Sequence, residues 1–299
     1  MRRSCLVFLM VVSSALAPRA AEPCSLCQCG DPAFAFMGSQ LFVPRTWHLG
    51  LSADRYAKDQ VAEDDPGTRE KEVENRLTLS ASRTFGDRLT LVARLPFAER
   101  TITTSSEEQS LSGLSDPELF AHYRLSAFRP GTWLSASLGL RPGWGRHDAV
   151  VDGVRAEQHL QPGTGAMGVE PGLSFSHLIG DTHPGTVFGS AFGRFNGRND
   201  VGYHYGNAVI ANLGYERRVG GRLDAVLETN FRYAAKDEPA PGDKDPNTGG
   251  SMLYLAPRVV VKLDRTLFLR LGVQVPIVKD LYGDQDEKVN VFTGLTVRF

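Results

Sequence analysis

The sequence predicts an all-β protein, a transmembrane antiparallel β-barrel of about 12 strands behind a short N-terminal periplasmic segment. Three observations predict it. Apolar and polar residues alternate over stretches of about ten residues, the length a tilted strand needs to cross a bilayer. Short turns alternate with longer polar loops. An export-type leader opens the 299 residues, and a strand pattern runs into Phe299.

The leader places Arg2 and Arg3 before an apolar run from Leu6 to Val12 and the small residues Ser13-Ser14-Ala15-Leu16-Ala17. That is a signal-peptide layout, too short to span a bilayer as a helix, and it is read over 1–21. Pro18 disfavours cleavage after Ala17, so Ala20 and Ala21 are the alternatives. Residues 22–45 then form a Cys-containing periplasmic segment, and 46–299 the barrel. Net charge is −1, so no basic field points to nucleic acid. Hydrophobic residues make up 41% of the chain, yet no later segment holds the ~18 apolar residues of a membrane helix.

Alternation carries the strands. In Arg88–Ala98, Leu89, Leu91, Ala93, Leu95 and Phe97 share one face, and Arg88, Thr90, Val92, Arg94 and Pro96 the other. Leu223, Ala225, Leu227, Thr229, Phe231 and Tyr233 likewise oppose Asp224, Val226, Glu228, Asn230 and Arg232. Period two sustained this long exceeds the five or six residues of a usual soluble strand. The strands are read near 46–56, 73–85, 88–99, 116–127, 132–143, 166–178, 186–196, 203–218, 222–234, 250–263, 267–279 and 289–299. In 186–196, Phe188 and Phe192 compete with Ala191 and Phe195 for the outward face.

Short connections fall at 85–88, 128–131, 179–185, 219–221 and 264–266, and long polar ones at 57–72, 101–115, 144–165, 197–202, 235–249 and 280–288. This parity predicts periplasmic turns, outer loops and both termini in the periplasm of a Gram-negative cell. Trp47, Tyr56, Phe85, Phe97, Trp133, Trp144, Tyr203, Tyr205, Tyr215 and Tyr233 fall near strand ends, as interfacial girdles require. In the last segment Val289, Val291, Leu295, Val297 and Phe299 share a face. A barrel pairs its last strand with its first to remove the edge, so this strand is expected beside Trp47. Phe299 also looks like the signal read by the barrel assembly machinery.

Arg94-Leu95-Pro96-Phe97 and Gly113-Leu114-Ser115-Asp116-Pro117-Glu118-Leu119, running into Tyr123-Arg124-Leu125, resemble strand motifs of a family of outer-membrane transporters named for the meta-pathway of phenol degradation. Val275-Pro276-Ile277 is similar to its penultimate strand, and Ser115 stands where the family has a second Gly. The resemblance implies a porin-like barrel, monomeric or loosely associated, and names no solute.

Two places could carry chemistry. Alternation points Arg76, Arg94, His122, Arg124, Arg141, Glu216, Asp224, Glu228, Arg232, Arg258 and Arg270 into the lumen, with Glu118, Glu170, Lys262 and Arg298. Arg76, Arg94, Arg124 and Arg141 cluster in the first half of the chain; Glu216, Asp224 and Glu228 lie on neighbouring later strands. The asymmetry would orient a dipolar solute, or it knits opposite walls together as a salt-bridged plug. The second place is Cys24-Ser25-Leu26-Cys27-Gln28-Cys29. Ala21-Glu22-Pro23 is no lipobox, and Gln28 replaces the His of a haem site. The three thiols form a local disulfide with one left over, or offer soft ligands to Cu or Zn, with His48 or Asp31 as a fourth.

No G-x-S-x-G elbow accompanies His147, His159, His177, His183 or His204, and no EF-hand pattern occurs in the acidic loops, so the reading is not an enzyme. The expected function is an outer-membrane channel or facilitator for small solutes. The alternative is a non-conducting barrel that docks a periplasmic metal or redox partner through its Cys segment, and an outer-membrane hydrolase ranks third. Partners expected besides the solute are outer-membrane lipid and the assembly machinery.

Overall fold

The computed structural model describes residues 45–61, 69–129, 131–180 and 185–299. The leader read over 1–21 and Cys24, Cys27 and Cys29 lie outside these residues. No helix occurs among the described residues.

The strands are β1 (Trp47–Val61), β2 (Arg69–Phe85), β3 (Leu89–Thr103), β4 (Glu108–Leu114), β5 (Glu118–Arg129), β6 (Thr132–Arg141), β7 (Val150–Val151) and β8 (Val154–Arg155). After these come β9 (Gly168–Ile179), β10 (Gly185–Asn196), β11 (Ala208–Arg218), β12 (Leu223–Ala234), β13 (Gly250–Lys262), β14 (Leu267–Leu281), β15 (Gln285–Glu287) and β16 (Asn290–Arg298). All but β7 and β8, a ribbon within one loop, belong to a single antiparallel sheet. β4 and β5 both pair with β3 and continue one stave; β15 and β16 both pair with β1 and continue another. The barrel therefore has 12 staves.

It closes where β1 meets β16, in register from His48 opposite Arg298 to Arg55 opposite Val291. Trp47 N–H donates to Phe299 O at 2.7 Å and Phe299 N–H donates to Trp47 O at 3.0 Å. Closure leaves no unpaired row of backbone groups to face lipid. Tight turns join the strands at the end carrying Trp47 and Phe299, the terminal end. Gly86 (φ 60°) and Gly131 (φ 77°) take there the left-handed conformation that a side chain resists.

Alternation places Leu79, Leu95, Leu213, Leu227 and Leu295 on the outside, exposed, and Thr78, Arg94, Asn212, Glu228 and Thr296 on the inside, buried. A soluble monomer tolerates an apolar patch of about 300–600 Å². Exposed leucines on every side of a barrel exceed that, and lipid is the solvent that suits them. Inside, phenyl rings lie across glycines of the neighbouring strand: Phe120 opposite Gly139, Phe188 opposite Gly214, Phe192 opposite Gly172 and Phe292 opposite Gly272. A Cβ at any of these glycines would run into the ring. Phe188 and Phe192 thus face inward, and Ala191 and Phe195 outward.

The structure corrects several readings. The segments 57–72, 101–115 and 280–288 are largely strand, because β1 to β4 and β14 continue beyond the apolar belt. Outside lipid the outward face turns polar, as at Arg55, Asn75 and Glu99, so the alternation that marks a strand disappears although pairing continues. Four aromatics leave the expected girdles. Tyr203 and Tyr205 are buried, Tyr56 lies inside beneath Arg76, and Trp133 lies inside beneath Arg124.

Candidate functional site: a stoppered lumen

The half of the lumen away from the termini, the loop end, is filled by charged side chains that pair with a close neighbour in the wall. Lys58 meets Glu72 at 2.7 Å, Arg94 meets Glu118 at 2.6 Å, Arg194 meets Glu170 at 2.6 Å and Arg258 meets Glu228 at 2.8 Å. Glu74, fully buried, accepts from Arg76 Nε at 2.6 Å and from Arg100 Nε at 2.9 Å. Arg232 reaches Glu287 at 3.2 Å, and Tyr254 O–H donates to the same carboxylate at 2.8 Å. A buried ion left alone costs several kcal/mol, so pairing is a condition for filling this space with charge.

The pairs join residues of one strand or of strands adjacent in the wall, with β15 reached from β12 as the longer span. Arg76 and Arg94 find carboxylates on their own side, Glu228 and Asp224 find cations on theirs, and Arg141 bonds Asn196. The expected opposition of a basic and an acidic wall is therefore neutralised locally. Glu216 and Arg124 are half-buried nearer the terminal end.

The loop over 142–167 folds inward and caps this half. Asp116, buried between β4 and β5, anchors it. Its carboxylate accepts Gly145 N–H at 2.9 Å, Thr164 N–H at 2.8 Å and the Thr164 hydroxyl at 2.6 Å. Gly145 and Gly163 pack backbone to backbone beside it, where a Cβ has no room. Arg100 donates to the carbonyls of His159 at 3.1 Å and Gln161 at 2.8 Å. Gln161 bridges the loop to itself through Ala149 and Ala156, and Leu160 packs with Ile102 and Leu111.

A latch then ties the stopper to two other loops. Tyr203 O–H donates to Asp237 Oδ2 at 3.0 Å, and its oxygen lies 3.0 Å from His159 Nε2. The phenol has one proton, already given to Asp237, so His159 carries its proton on Nε2 and donates it to Tyr203. Burial pushes the His159 pKa down to about 3, helped by the Lys58 and Arg100 cations, and the ring stays neutral. Tyr205 O–H donates to Gln158 O at 3.0 Å, and Asp237 Oδ1 accepts Gly206 N–H at 2.6 Å.

The terminal half differs. Its wall is largely small and hydroxylic: Ser80, Ser82, Ser135, Ser137, Ser174 and Ser176. A patch of Phe188, Val226, Val260 and Phe268 lies on one side. Arg124, Arg270 and Arg298 face in, with Arg298 over Phe268 at 5.2 Å. His122 stacks on Phe120 at 6.0 Å, and Asp224 is already held by Lys262 at 2.8 Å and Arg218 at 3.0 Å.

No protein-family model and no curated protein matches the chain. Solved structures do. An outer membrane channel from Pseudomonas putida F1 superposes with a TM-score of 0.67 at 13% identity, covering 87% of this chain and 98% of that one. The fold is that of an outer-membrane β-barrel. The β domain of the Bordetella autotransporter BrkA superposes at 0.52 with 13% identity, covering 84% of this chain and 99% of that one. The likeness to meta-pathway transporters rests on its strand motifs alone. One of those motifs contains Asp116, so the anchor of the stopper was visible as a motif residue though not in its role. Glu72, Glu74, Arg100, Arg194 and Asp237 escaped the sequence reading, Glu72 and Arg100 because their strands were ended too early. Among the described residues no group of three His, Cys, Asp or Glu side chains is placed to hold a metal. His48, a candidate fourth ligand, is half-buried in the barrel wall.

Proposed function

We propose that the protein is an outer-membrane channel for small solutes, held closed here by the 142–167 loop, with its terminal end in the periplasm. The observation that carries the reading is the stopper's attachment. Its charged and polar anchors, Asp116, Arg100 and the His159–Tyr203–Asp237 latch, are hydrogen bonds that water can replace when the loop swings out. The wall behind it carries serines and inward arginines beside its apolar patch, and these polar groups can be wetted by a passing column of solvent. Arg124, Arg270 and Arg298 in the terminal vestibule favour anions, and the apolar rings of Trp133 and Phe268 beside them add surface for the hydrophobic part of an organic anion.

Planar-bilayer recording of the full chain and of a variant with residues 148–160 replaced by a short glycine linker tests this. The wild type is expected to open rarely and the variant to conduct steadily. In a salt gradient the variant's reversal potential should report anion preference, lost when Arg270 and Arg298 become Gln. A folded variant that never conducts would remove the channel reading. It would favour a barrel that docks a periplasmic partner through Cys24, Cys27 and Cys29, whose Cu or Zn content would then be compared with that of Cys27→Ser and Cys29→Ser variants.

A further inference from the structure

On the outer wall, near the terminal end, the apolar belt has a hollow. Ala81 of β2 lies directly opposite Ala93 of β3, and Ala121 of β5 continues the row diagonally. Leu91, Leu119 and Leu138 stand around these small residues and wall a trough of about 480 Å³. At its terminal end stands Arg83, an exposed, outward cation on the second-last turn of pleat before β2 ends at Phe85. Its guanidinium lies 5.0 Å from the ring of Trp47 and 5.0 Å from that of Phe85. Among the described residues its side-chain contacts are with these two rings and not with a carboxylate. A guanidinium at the edge of an apolar belt is costly unless an anion meets it or it reaches the headgroup level, and its planar fork matches a phosphate. Trp47 and Phe85 mark that headgroup level.

We propose that this trough is a binding site for one anionic phospholipid, its phosphate on Arg83 and an acyl chain along Ala81, Ala93 and Ala121. Both halves of the ligand are needed. The trough alone would be filled by any lipid tail, and Arg83 alone would pair with any passing anion. Phosphatidylglycerol meets both demands, because its headgroup carries no ammonium of its own to neutralise the phosphate.

Native mass spectrometry of the detergent-solubilised full chain tests the site with three probes: phosphatidylglycerol, diacylglycerol and glycerol phosphate. The wild type is expected to retain one phosphatidylglycerol and neither of the others. Arg83→Gln removes the charge and Ala93→Leu fills the trough, and each should cut retention at least tenfold. Ala225→Leu, on the outward face of β12, is the matched control and should change nothing. Equal retention by all four proteins, retention of diacylglycerol as well, or a wild type that retains nothing would each overturn the proposal. A mass of two chains that Ala93→Leu reduces to one would give the trough to a second copy and overturn it too. Heat-dependent migration on gels verifies that every variant is a folded barrel.

Discussion

The two halves of the lumen are built on the same staves with the same alternation, yet their interiors differ in kind. Toward the loop end, long charged side chains fill the space and are matched to neighbours: Arg194 with Glu170, Arg258 with Glu228, Glu74 with two arginines. Toward the terminal end, serines, threonines and phenyl rings line the wall, and Arg298 and Arg124 face in over aromatic rings. The difference lies in water. A cation in a wet vestibule is solvated and can stand beside a ring. Under the stopper the same cation must meet a carboxylate or cost several kcal/mol.

Removing one partner from each half sharpens this contrast most. Glu170→Gln leaves Arg194 buried and without its carboxylate, and the expected loss is about 3–5 kcal/mol. The double change Glu170→Gln with Arg194→Met removes both charges and should recover most of that loss. Arg298→Gln, in the vestibule, should cost about 1 kcal/mol or less, as for exposed charges. Urea unfolding in lipid vesicles, followed by tryptophan fluorescence, gives the three midpoints. Equal losses for Glu170→Gln and Arg298→Gln would mean that both halves are equally wet.

The second break is at the stopper's anchor. Asp116 accepts three hydrogen bonds from the loop, and hydrogen bonds to charged groups contribute about 1.5–3 kcal/mol each. Asp116→Ala should therefore shift the closed–open balance by tenfold or more, read as open probability in single-channel recordings. Its effect on overall unfolding should be smaller than that of Glu170→Gln, since the loop can leave while the staves remain paired. If the variant stays as closed as wild type, the loop is held by its apolar cluster of Ile102, Leu111 and Leu160 instead.

How much of this is legible in the sequence depends on which solvent each face meets. Where one face meets lipid, as in Leu223–Tyr233, contrast between neighbours is strong and the strand can be read almost to its ends. Where β1 to β3 rise past the belt, both faces are polar. Glu72 and Arg100 then look like loop residues although both are buried inside the barrel. The stopper is harder still. Gln161, Thr164 and Asp237 are buried polar residues in segments without period, and only their partners, distant in sequence, reveal that they face inward. Barrel closure at Trp47 and Phe299 could be expected because an open edge in lipid is so costly. The inward fold of one loop out of several follows no such rule.

The latch also makes the closed state depend on pH, and the sign follows from its chemistry. His159 faces Tyr203, Tyr205 and Asp237 from the loops and Lys58 and Arg100 from the wall. With the stopper seated its pKa is about 3, against 6.5 for the solvated ring. Between those values the released loop binds more protons than the seated one, so lowering the pH favours release. The seated state is fully favoured above about pH 6.5 and weakens by up to about tenfold per unit below it. Protonation would also add a positive charge near the Lys58 and Arg100 cations, the wrong sign for both. Recordings at pH 7, 6 and 5 should show open probability rising as pH falls, and His159→Gln, which can still donate to Tyr203, should flatten the rise. A pH response that survives unchanged in His159→Gln would move the proton to another group, and the latch would then be a rigid strut and not a sensor.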